Sequence, residues 1–479
     1  KPDGSKYNLN TDGLKIYTTI NYSMQEMAEN AVLQHMPRLQ KEFFEQNETL
    51  DDSIAPFRDL TSGAVDTLLR ISMRRSERWR KMKYDLKKND EEIEESFYIP
   101  KEMTVFSWKG EIDTTMSPLD SMKYYKSFFR PGMMSMDPTN GYIKAWVGGM
   151  NYRHFQYDMV KKGKRQIGST FKPFVYAAAI DQLKLSPCDT FPDSQFCIEK
   201  NKFGNVEQWC PKNSGDKYGR TRTLKNALAN SVNTVTARLI DRIGPRTVVK
   251  LAKDLGIEQR ILPVPSIALG TPDLSVYEMV AAYSTFANKG VYTQPVFIEK
   301  IEDKNGTTLY ENQPINRDVL SEEAAYVTVN LLEGVTKAGS GTRLRTTGAD
   351  EFNKAYQNVV TGYPYEFTNP IAGKTGTTQN QSDGWFIGMV PNLVTGVWVG
   401  AEDRAIHFED IAYGQGASMA LPIWGVYMKS VYQDSTLLIS NGPFDQPKRL
   451  SIGLDCNKIM TDSLQSGKTV EQEILDIDF

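Results

Sequence analysis

Histidine and cysteine are scarce in this 479-residue chain, which has three histidines and four cysteines. None of the histidines, His35, His154 and His407, lies in a His-Glu-x-x-His pattern or beside a Gly-x-Ser-x-Gly turn. These absences disfavour a zincin-type metal site and a Ser-His-Asp hydrolase. Any covalent chemistry therefore needs a base other than histidine.

The cysteines have no Cys-x-x-Cys spacing, so we predict no zinc or redox-motif site. Cys197 and Cys210 flank the polar segment CIEKNKFGNVEQWC, and a disulfide between them would close it as a surface loop. Such a bond needs an oxidising compartment. The alternative is that these two residues, together with Cys188 and Cys456, are unrelated thiols.

The chain also lacks a long apolar run and a strong charge imbalance. No segment approaches the roughly 20 apolar residues of a membrane span, and the net charge of −3 gives no indication of a nucleic-acid partner. Hydrophobic residues make up 40% of the chain, enough for a large core. Because the chain begins KPDGSKY, without an initiator methionine or a signal peptide, we expect an internal fragment whose anchor lies upstream.

The first hundred residues predict one strand and then helices. A β-branched segment at about residues 14–20 is typical of a short strand, and an amphipathic helical pattern follows it. Eight lysines and arginines lie between Arg74 and Lys88, directly before the acidic run DEEIEE. We interpret this segment as a solvated helix with internal ion pairs, with a partner-docking surface as the alternative.

The remainder of the chain alternates between strands and helices. MTVFSWKG and GMMSMDPTNGYIKAWVGGM predict strands, the second a hairpin that turns on DPTNG. Helical patterns follow in LKNALANSVNTVTARLIDRIG, PRTVVKLAKDLGI, SVYEMVAAYSTFANKG and SEEAAYVTVNLLEGVTK, and strands return in PIAGKTGTT, GWFIGMV and VTGVWVG. This order predicts an α+β fold in which an antiparallel sheet closes around a helical cluster. Residues 441–479 are expected to be a loosely structured extension.

The segment RQIGSTFKPFVYAAAI, residues 165–180, contains a serine with two interpretations. Ser169 is either the N-cap of the apolar helix that follows, or a nucleophile with Lys172 as its base one helical turn later. A second Ser-x-x-Lys pair, Ser214 and Lys217, lies in a Gly/Asp loop with no helix after it, and we dismiss it.

Two further motifs bear on this choice. ANSVNTV holds the only Ser-x-Asn of the chain, Ser231 and Asn233, and AGKTGTT holds the only Lys-Thr-Gly, which starts at Lys374. Taken alone, the Ser-x-Asn motif favours a capping or buried serine. The Lys-Thr-Gly motif alone is equally consistent with an ordinary strand end. On an edge strand, however, the second motif would place an ammonium and hydroxyls beside a bound carboxylate. Gly376 would then leave the backbone clear for an extended peptide.

In this order, the three motifs resemble the signature set of penicillin-recognising serine enzymes. DPTNGYIKAWVGG, RQIGSTFKPFVYAAAI, LKNALANSVNTV, GKTGTTQNQSDGWFIGMVP and GASMALPIW resemble segments of class A penicillin-binding proteins, the bifunctional synthases of the bacterial cell wall. The resemblance implies a penicillin-binding/serine β-lactamase-like transpeptidase fold. It divides the chain into an interdomain linker (1–35), a mainly helical accessory region (36–124), a transpeptidase domain (125–440) and a C-terminal extension (441–479), without the glycosyltransferase domain.

The resemblance also implies a D,D-transpeptidase that cross-links peptidoglycan stem peptides through an acyl-enzyme formed from D-Ala-D-Ala. Ser169 would be the nucleophile, with Lys172 as its base. Ser231 would pass a proton between a lysine, Lys172 or Lys374, and the leaving amine. Asn233 would orient the acyl-side amide of the substrate.

Binding roles follow from the same resemblance. Thr375 and Thr377, on either side of Gly376, would bind the terminal carboxylate with help from Lys374. The backbone N–H groups of Ser169 and Thr377 would form the oxyanion hole. β-Lactams would acylate Ser169, because their strained amide mimics the same dipeptide. No cofactor and no metal are implied.

The implied partners are donor and acceptor stem peptides, β-lactam antibiotics, the upstream glycosyltransferase domain and, as candidates, cell-wall assembly proteins, but no nucleic acid. The implied location is the periplasmic face of the bacterial inner membrane, with the anchor outside this chain.

A D,D-carboxypeptidase and a β-lactam-sensing receptor stay open as alternatives, whereas a class A β-lactamase would need a Glu-x-x-Leu-Asn segment that the sequence lacks. Ile167 in place of a usual proline, and FQYD in place of FNRA, concern the subgroup rather than the catalytic side chains.

Overall fold

Strands and helices alternate along the chain, whose structure, a computed structural model, describes residue 1, residues 4–345 and residues 360–456. The strands are β1 (Lys15–Thr18), β2 (Lys101–Val105), β3 (Ile112–Met116), β4 (Arg130–Met136), β5 (Ile143–Val147), β6 (Arg165–Gln166), β7 (Thr190–Pro192), β8 (Thr221–Thr223), β9 (Asp273–Leu274), β10 (Val291–Thr293), β11 (Ile298–Glu302), β12 (Thr308–Glu311), β13 (Asn316–Asp318), β14 (Ala372–Thr377), β15 (Asp383–Val390) and β16 (Leu393–Gly400). The helices are α1 (Tyr22–Asn47), α2 (Ser62–Arg75), α3 (Glu77–Arg80), α4 (Asp90–Glu95), α5 (Pro118–Lys126), α6 (Lys172–Leu183), α7 (Leu224–Ala229), α8 (Asn233–Ile243), α9 (Pro245–Asp254), α10 (Val276–Ala287), α11 (Glu322–Ala338), α12 (Ile411–Gly414), α13 (Gly416–Met419) and α14 (Leu421–Gln433).

Five of the strands form one antiparallel sheet in the order β14-β15-β16-β4-β5. The predicted hairpin on DPTNG joins β4 to β5 and is confirmed. Along the central strands, alternate side chains enter different apolar cores: Phe386 and Val397 point to one side of the sheet, and Ile387 and Trp398 to the other. Both faces of the sheet are therefore covered, and β14, with its Lys-Thr-Gly motif, lies at the predicted edge.

A helical cluster covers one face of this sheet. Its centre is α6, which is buried on every side from Lys172 to Ile180, as expected for a helix that is apolar all round. Helices α8, α10 and α11 surround α6, and α10 also packs on β4 and β16. On the opposite face, α1 and α14 form the second core with the sheet. The predicted α+β architecture is confirmed.

The N-terminal region lies on the α1 side of the sheet. Helix α1 starts after its N-cap, Asn21, and continues to Asn47, so the boundary predicted at residue 35 falls inside a helix. Helices α2 to α5 and the β2–β3 hairpin follow α1, with a small apolar core made of Met73, Trp79, Ile93 and Phe97. Val65 and Leu69 of α2 belong instead to the second core. The domain boundaries drawn from the sequence stay predictions.

The basic segment, residues 74–88, is not the single helix that its pattern suggested. It is divided between the end of α2, the short α3 and a π-helical turn, Lys81–Asp85. The predicted internal ion pairs are nevertheless present, for example between Lys88 and Glu92 at 3.0 Å. Exposed pairs of this kind are screened by solvent and contribute little, so they do not hold the segment in one straight helix.

The described part of the chain contains two disulfides, one that closes a short loop and one that joins distant segments. Cys197 and Cys210 are bonded, which confirms the disulfide interpretation of the polar loop over the interpretation as unrelated thiols. Cys188 is bonded to Cys456, a pairing across 268 residues that no spacing pattern indicates. This second bond ties residues 441–455, which form no helix or strand, to the loop after α6. The rest of the predicted C-terminal extension lies outside the described residues.

None of the helices within residues 4–345 and 360–456 combines the length and apolarity needed to cross a bilayer.

Candidate active site

Ser169 lies in a 3-10 turn, Gly168–Phe171, that leads directly into α6. Of the two interpretations of Ser169, the N-cap is wrong, because the N-cap position of α6 is Phe171 and that of the turn is Ile167. The turn extends the helix backwards, so Ser169 lies within the first turn, one position too late to act as its cap. Within the described part of the chain, the Ser169 hydroxyl has no hydrogen-bond partner, and this half-buried side chain is left available for chemistry.

Lys172 is brought to the Ser-x-Asn motif, as the sequence predicted. Its Nζ is fully buried and lies in hydrogen-bond contact with the Ser231 carbonyl oxygen at 2.5 Å, with Ser231 Oγ at 3.2 Å and with Asn233 Oδ1 at 2.6 Å. Lys172 is held there because α6 and α8 pack side by side in the helical cluster.

Lys374 reaches the same serine from the sheet. Its buried Nζ donates to Ser231 Oγ at 3.2 Å and to the Thr375 carbonyl oxygen at 3.0 Å. Ser231 itself has a φ of +56°, a left-handed conformation that is uncommon outside glycine. This strained turn between α7 and α8 puts one hydroxyl within hydrogen-bond distance of two amines.

Burial makes both amines unusually acidic. Loss of hydration lowers the pKa of Lys172 well below its usual value, and the neighbouring Lys374 lowers it further. Loss of hydration alone lowers the pKa of Lys374 to about 7. At neutral pH, a neutral amine able to accept a proton is therefore present beside Ser231.

Lys374→Met is expected to stabilise the fold at pH 7 while impairing the site. The unfolded lysine titrates near ~10.4, so between about pH 7 and ~10.4 the unfolded chain binds a proton that the folded chain lacks, and stability rises with pH. Methionine removes that penalty, and we expect a gain of about 1–4 kcal/mol at pH 7. Urea unfolding at pH 7 and pH 10 measures it: the gain should shrink at pH 10. A variant less stable than the wild type at pH 7 would contradict this account.

The amide of Asn233 is fixed at both ends. Its Oδ1 accepts from Lys172, and its Nδ2 donates to the Lys212 carbonyl oxygen at 2.6 Å. The structure thus joins Asn233 to the lysine it was predicted to accompany, whereas its predicted contact with a substrate amide stays a prediction.

The two threonines of the strand are each held by a partner that the sequence did not reveal. Thr375 Oγ1 lies 2.5 Å from Ser340 Oγ, and Thr377 Oγ1 accepts from the Gly416 N–H at 3.1 Å. Ser340 belongs to the TKAGSGTRL segment just after α11. Gly416 opens the GASMALPIW segment, but that resemblance does not indicate a contact with Thr377, and no motif marks Ser340; both residues reach the strand only through tertiary packing.

Gly376 has a different role from the predicted one. A Cβ there would lie 2.8 Å from the Ile167 carbonyl oxygen and 2.9 Å from Thr170 Cγ2, so glycine lets β14 pack against the nucleophile turn rather than leaving room for a peptide. Gly168, at φ +51°, is equally tight: its Cβ would lie 2.7 Å from the Thr377 carbonyl oxygen. The backbone of Thr377 therefore lies against that of Gly168, the residue before Ser169, and the oxyanion hole stays a prediction.

A buried polar network supports the turn from behind. Arg165 Nε donates to Asp383 Oδ1 at 2.7 Å, and Trp398 Nε1 donates to the same oxygen at 3.0 Å. Ile167, where the resemblance leads us to expect proline, donates its N–H to the Pro272 carbonyl oxygen at 3.2 Å. Proline has no N–H, so isoleucine adds a bond that the usual residue lacks.

The three histidines lie elsewhere and are engaged there, which agrees with the prediction that the base is not histidine. Their partners are Thr361 and the Met419 carbonyl for His35, Tyr125 and Glu111 for His154, and Asp59 and the Phe408 carbonyl for His407. The site thus combines an available serine hydroxyl with two buried amines that share a second serine, an arrangement suited to acyl transfer through serine and lysine.

Comparison with known proteins agrees with this chemistry. Residues 131–404 match the penicillin-binding protein transpeptidase domain, and residues 52–129 match the penicillin-binding protein middle domain. The chain therefore belongs to the penicillin-binding protein transpeptidase family, as the motifs had indicated.

Curated relatives include penicillin-binding protein 1A of Aquifex aeolicus, 35% identical over 317 residues, which are 66% of this chain and 39% of that protein. Penicillin-binding protein 2D of Bacillus subtilis is 33% identical over 299 residues, 62% of this chain and 40% of that protein. The chain thus spans about two fifths of the length of these relatives.

Solved structures share the fold. Penicillin-binding protein 1A from Haemophilus influenzae aligns with a TM-score of 0.63 at 21% identity, over 94% of this chain and 70% of that one. The PonA1 protein from Mycobacterium tuberculosis, in complex with penicillin V, aligns with a TM-score of 0.60 at 20% identity, over 94% and 92%. The predicted transpeptidase fold is confirmed.

Proposed function

We propose that this chain is a peptidoglycan D,D-transpeptidase that acts through an acyl-enzyme on Ser169. The observation that carries the proposal is the Ser231 hydroxyl, which accepts hydrogen bonds from Lys172 and from Lys374, each at 3.2 Å. Two buried amines at one hydroxyl repel each other's charge, which favours one neutral amine. A neutral amine and a hydroxyl beside it form a route for the protons that acyl transfer must move.

In the first half-reaction, neutral Lys172 takes the Ser169 proton as Oγ attacks the penultimate D-alanine carbonyl. The carbon–nitrogen bond to the terminal D-alanine then breaks. The proton on Lys172 passes through the Ser231 hydroxyl to the leaving amine. An ester on Ser169 and free D-alanine result. In the second half-reaction, the amine of a neighbouring stem peptide attacks the ester, gives up a proton and restores the serine.

Substrate binding is assigned to the strand next to the nucleophile. Lys374, Thr375 and Thr377 would bind the terminal carboxylate, and Asn233 would orient the acyl-side amide. The N–H groups of Ser169 and Thr377 would hold the oxyanion, a role in which losing one donor typically costs ~10²–10³ in rate. The close packing of Gly168 against the Thr377 backbone supports this pairing.

The cellular setting is proposed from the same family. Two disulfides favour an oxidising compartment, here the periplasmic face of the bacterial inner membrane, with the anchor and a glycosyltransferase domain in a longer protein. Stem peptides would be donor and acceptor, β-lactams would acylate Ser169, and cell-wall assembly proteins are candidate partners.

The test supplies glycan strands with pentapeptide stems and measures cross-linked peptides and free D-alanine separately. A transpeptidase gives both products. Free D-alanine without cross-links would instead identify a D,D-carboxypeptidase. A stable β-lactam adduct with neither product would identify a β-lactam-sensing receptor.

A further inference from the structure

Helix α8 begins with Asn233, yet its cap comes from a different segment. Its own N-cap residue, Val232, offers no side-chain oxygen to the free amides of the first turn. Instead, Asn213 Oδ1 accepts hydrogen bonds from the backbone N–H groups of Asn233 at 2.9 Å and Thr234 at 3.2 Å. The side chain of Asn213 thus caps the helix that carries Asn233.

The neighbouring residue of the same loop holds the Asn233 side chain. The Lys212 carbonyl oxygen accepts from Asn233 Nδ2 at 2.6 Å, while Asn233 Oδ1 accepts from Lys172 Nζ at 2.6 Å. An amide nitrogen only donates and an amide oxygen only accepts, so the Lys212 carbonyl fixes which end of Asn233 faces the amine. The loop is therefore two hydrogen bonds away from Lys172.

Asn213 is itself held in one orientation. Its Nδ2 donates to Asp193 Oδ1 at 2.7 Å, and the same carboxylate accepts from Thr234 Oγ1 at 2.8 Å and from Arg222 Nε at 2.5 Å. Asp193 is fully buried and Asn213 is only 9% exposed. A buried network in which each group has its partners has few alternative arrangements, so it keeps the loop in register with α8.

The Cys197–Cys210 disulfide joins the two chain segments that carry this network. Asp193 lies four residues before the first cysteine, and Asn213 lies three residues after the second. A β-bridge directly inside the disulfide adds two hydrogen bonds of 2.9 Å. Closing the loop covalently restricts the separation of its ends, and thus of Asp193 and Asn213.

We propose that Asn213 is a positioning residue for acylation: it fixes the position of Asn233, and Asn233 in turn fixes the position of the Lys172 amine. The Cys197–Cys210 disulfide keeps Asn213 in place. This inference rests on the proposed function, in which Lys172 is the base. Asn213 acts through Asn233, so its loss should slow the chemical step rather than remove it.

The direct test compares two buried asparagines of one loop. Asn205 is 8% exposed and uses its amide within the loop, where it bonds to Phe203, Glu199 and Glu207. With a fluorescent penicillin, Asn213→Ala should lower the acylation rate constant about tenfold, whereas Asn205→Ala should stay within twofold of the wild type. Partial misfolding would lower the labelled fraction instead, so both the rate constant and the final amplitude are measured. Equal rate constants for the two variants would overturn the inference.

If Asn213→Ala does not fold, a second pair of variants tests the inference. Replacing Cys197 and Cys210 together with serine should slow acylation several-fold, whereas the same change at Cys188 and Cys456 should leave the rate constant within twofold. A wild-type rate constant in the Cys197/Cys210 double variant would overturn the inference, while leaving the proposed function intact as long as the wild-type chain is labelled on Ser169. A wild-type chain that takes up no penicillin on Ser169 would overturn the proposed function itself.

Discussion

Lys172→Met is expected to slow the acylation of Ser169 by a penicillin by about 10³-fold, within the range that a general base contributes. The change removes the amine that donates to Ser231 and Asn233. Methionine is unbranched and of similar length, so the buried space in α6 stays filled and the effect isolates the proton acceptor. Stopped-flow measurement with a fluorescent penicillin gives the rate constant, and a cooperative thermal transition shows that the variant is folded.

The matched control for that prediction is Lys225→Met, which should stay within twofold of the wild type. Lys225 is also a lysine whose pKa is lowered by burial, but its ammonium donates to Asn330 at 3.0 Å. The pH dependence adds a second check. In the wild type, the rate constant should fall as pH decreases through the pKa of Lys172, because protonated Lys172 cannot accept the Ser169 proton. Burial and the charge of Lys374 both lower this pKa. Lys172→Met should lose this dependence, and wild-type acylation by Lys172→Met would contradict its role as the base.

Gly270→Ala is expected to reduce the acylation rate constant by about 10²-fold, although Gly270 is not itself part of the chemistry. Gly270 has a φ of +75° and accepts the Gly168 N–H at 3.0 Å. A Cβ at Gly270 would lie 1.7 Å from the Gly168 carbonyl oxygen, far inside contact distance, so the nucleophile turn must move. A displacement near 1 Å would change the spacing between the N–H groups of Ser169 and Thr377, the two donors of the proposed oxyanion hole.

Gly306→Ala separates this effect from backbone strain. Gly306 has a comparable φ of +87°, but nothing lies within 4 Å of its Cβ position, so alanine meets only the strain of the left-handed conformation. Both variants should lose stability, by about 1–3 kcal/mol from strain, whereas only Gly270→Ala should slow acylation. Equal acylation by the two variants would show that Gly270 does not position the turn.

Local pattern was sufficient to predict much of the fold. The apolar run of α6, the hairpin on DPTNG and the buried strands β15 and β16 each carry their own periodicity or turn signal, and the structure has them where the sequence indicated. The three motifs were also recognisable, because each is short and continuous. Their meeting at the Ser231 hydroxyl depends on packing between α6, α8 and β14, which the resemblance to a family supplied and periodicity did not.

One failure has a local cause: the N-cap interpretation of Ser169 is wrong because the 3-10 turn before α6 has no signal of its own. The other failures come from contacts between segments that are separated along the sequence. Gly376 was assigned to a bound peptide, whereas the groups its Cβ would meet belong to the turn, two hundred residues earlier. Cys188 has its partner 268 residues away along the chain, and Ser340 has its partner 35 residues away. No local pattern encodes such neighbours.

The central claim is that Ser169 is the residue that becomes acylated. Incubating the chain with a labelled penicillin, digesting it and mapping the adduct by mass spectrometry tests this directly, with Ser169→Ala beside Ser214→Ala, the serine of the dismissed Ser-x-x-Lys pair. We expect the wild type and Ser214→Ala to carry one adduct on the peptide that contains Ser169, and Ser169→Ala to carry none. Uptake of the label by Ser169→Ala at the wild-type rate would contradict the account.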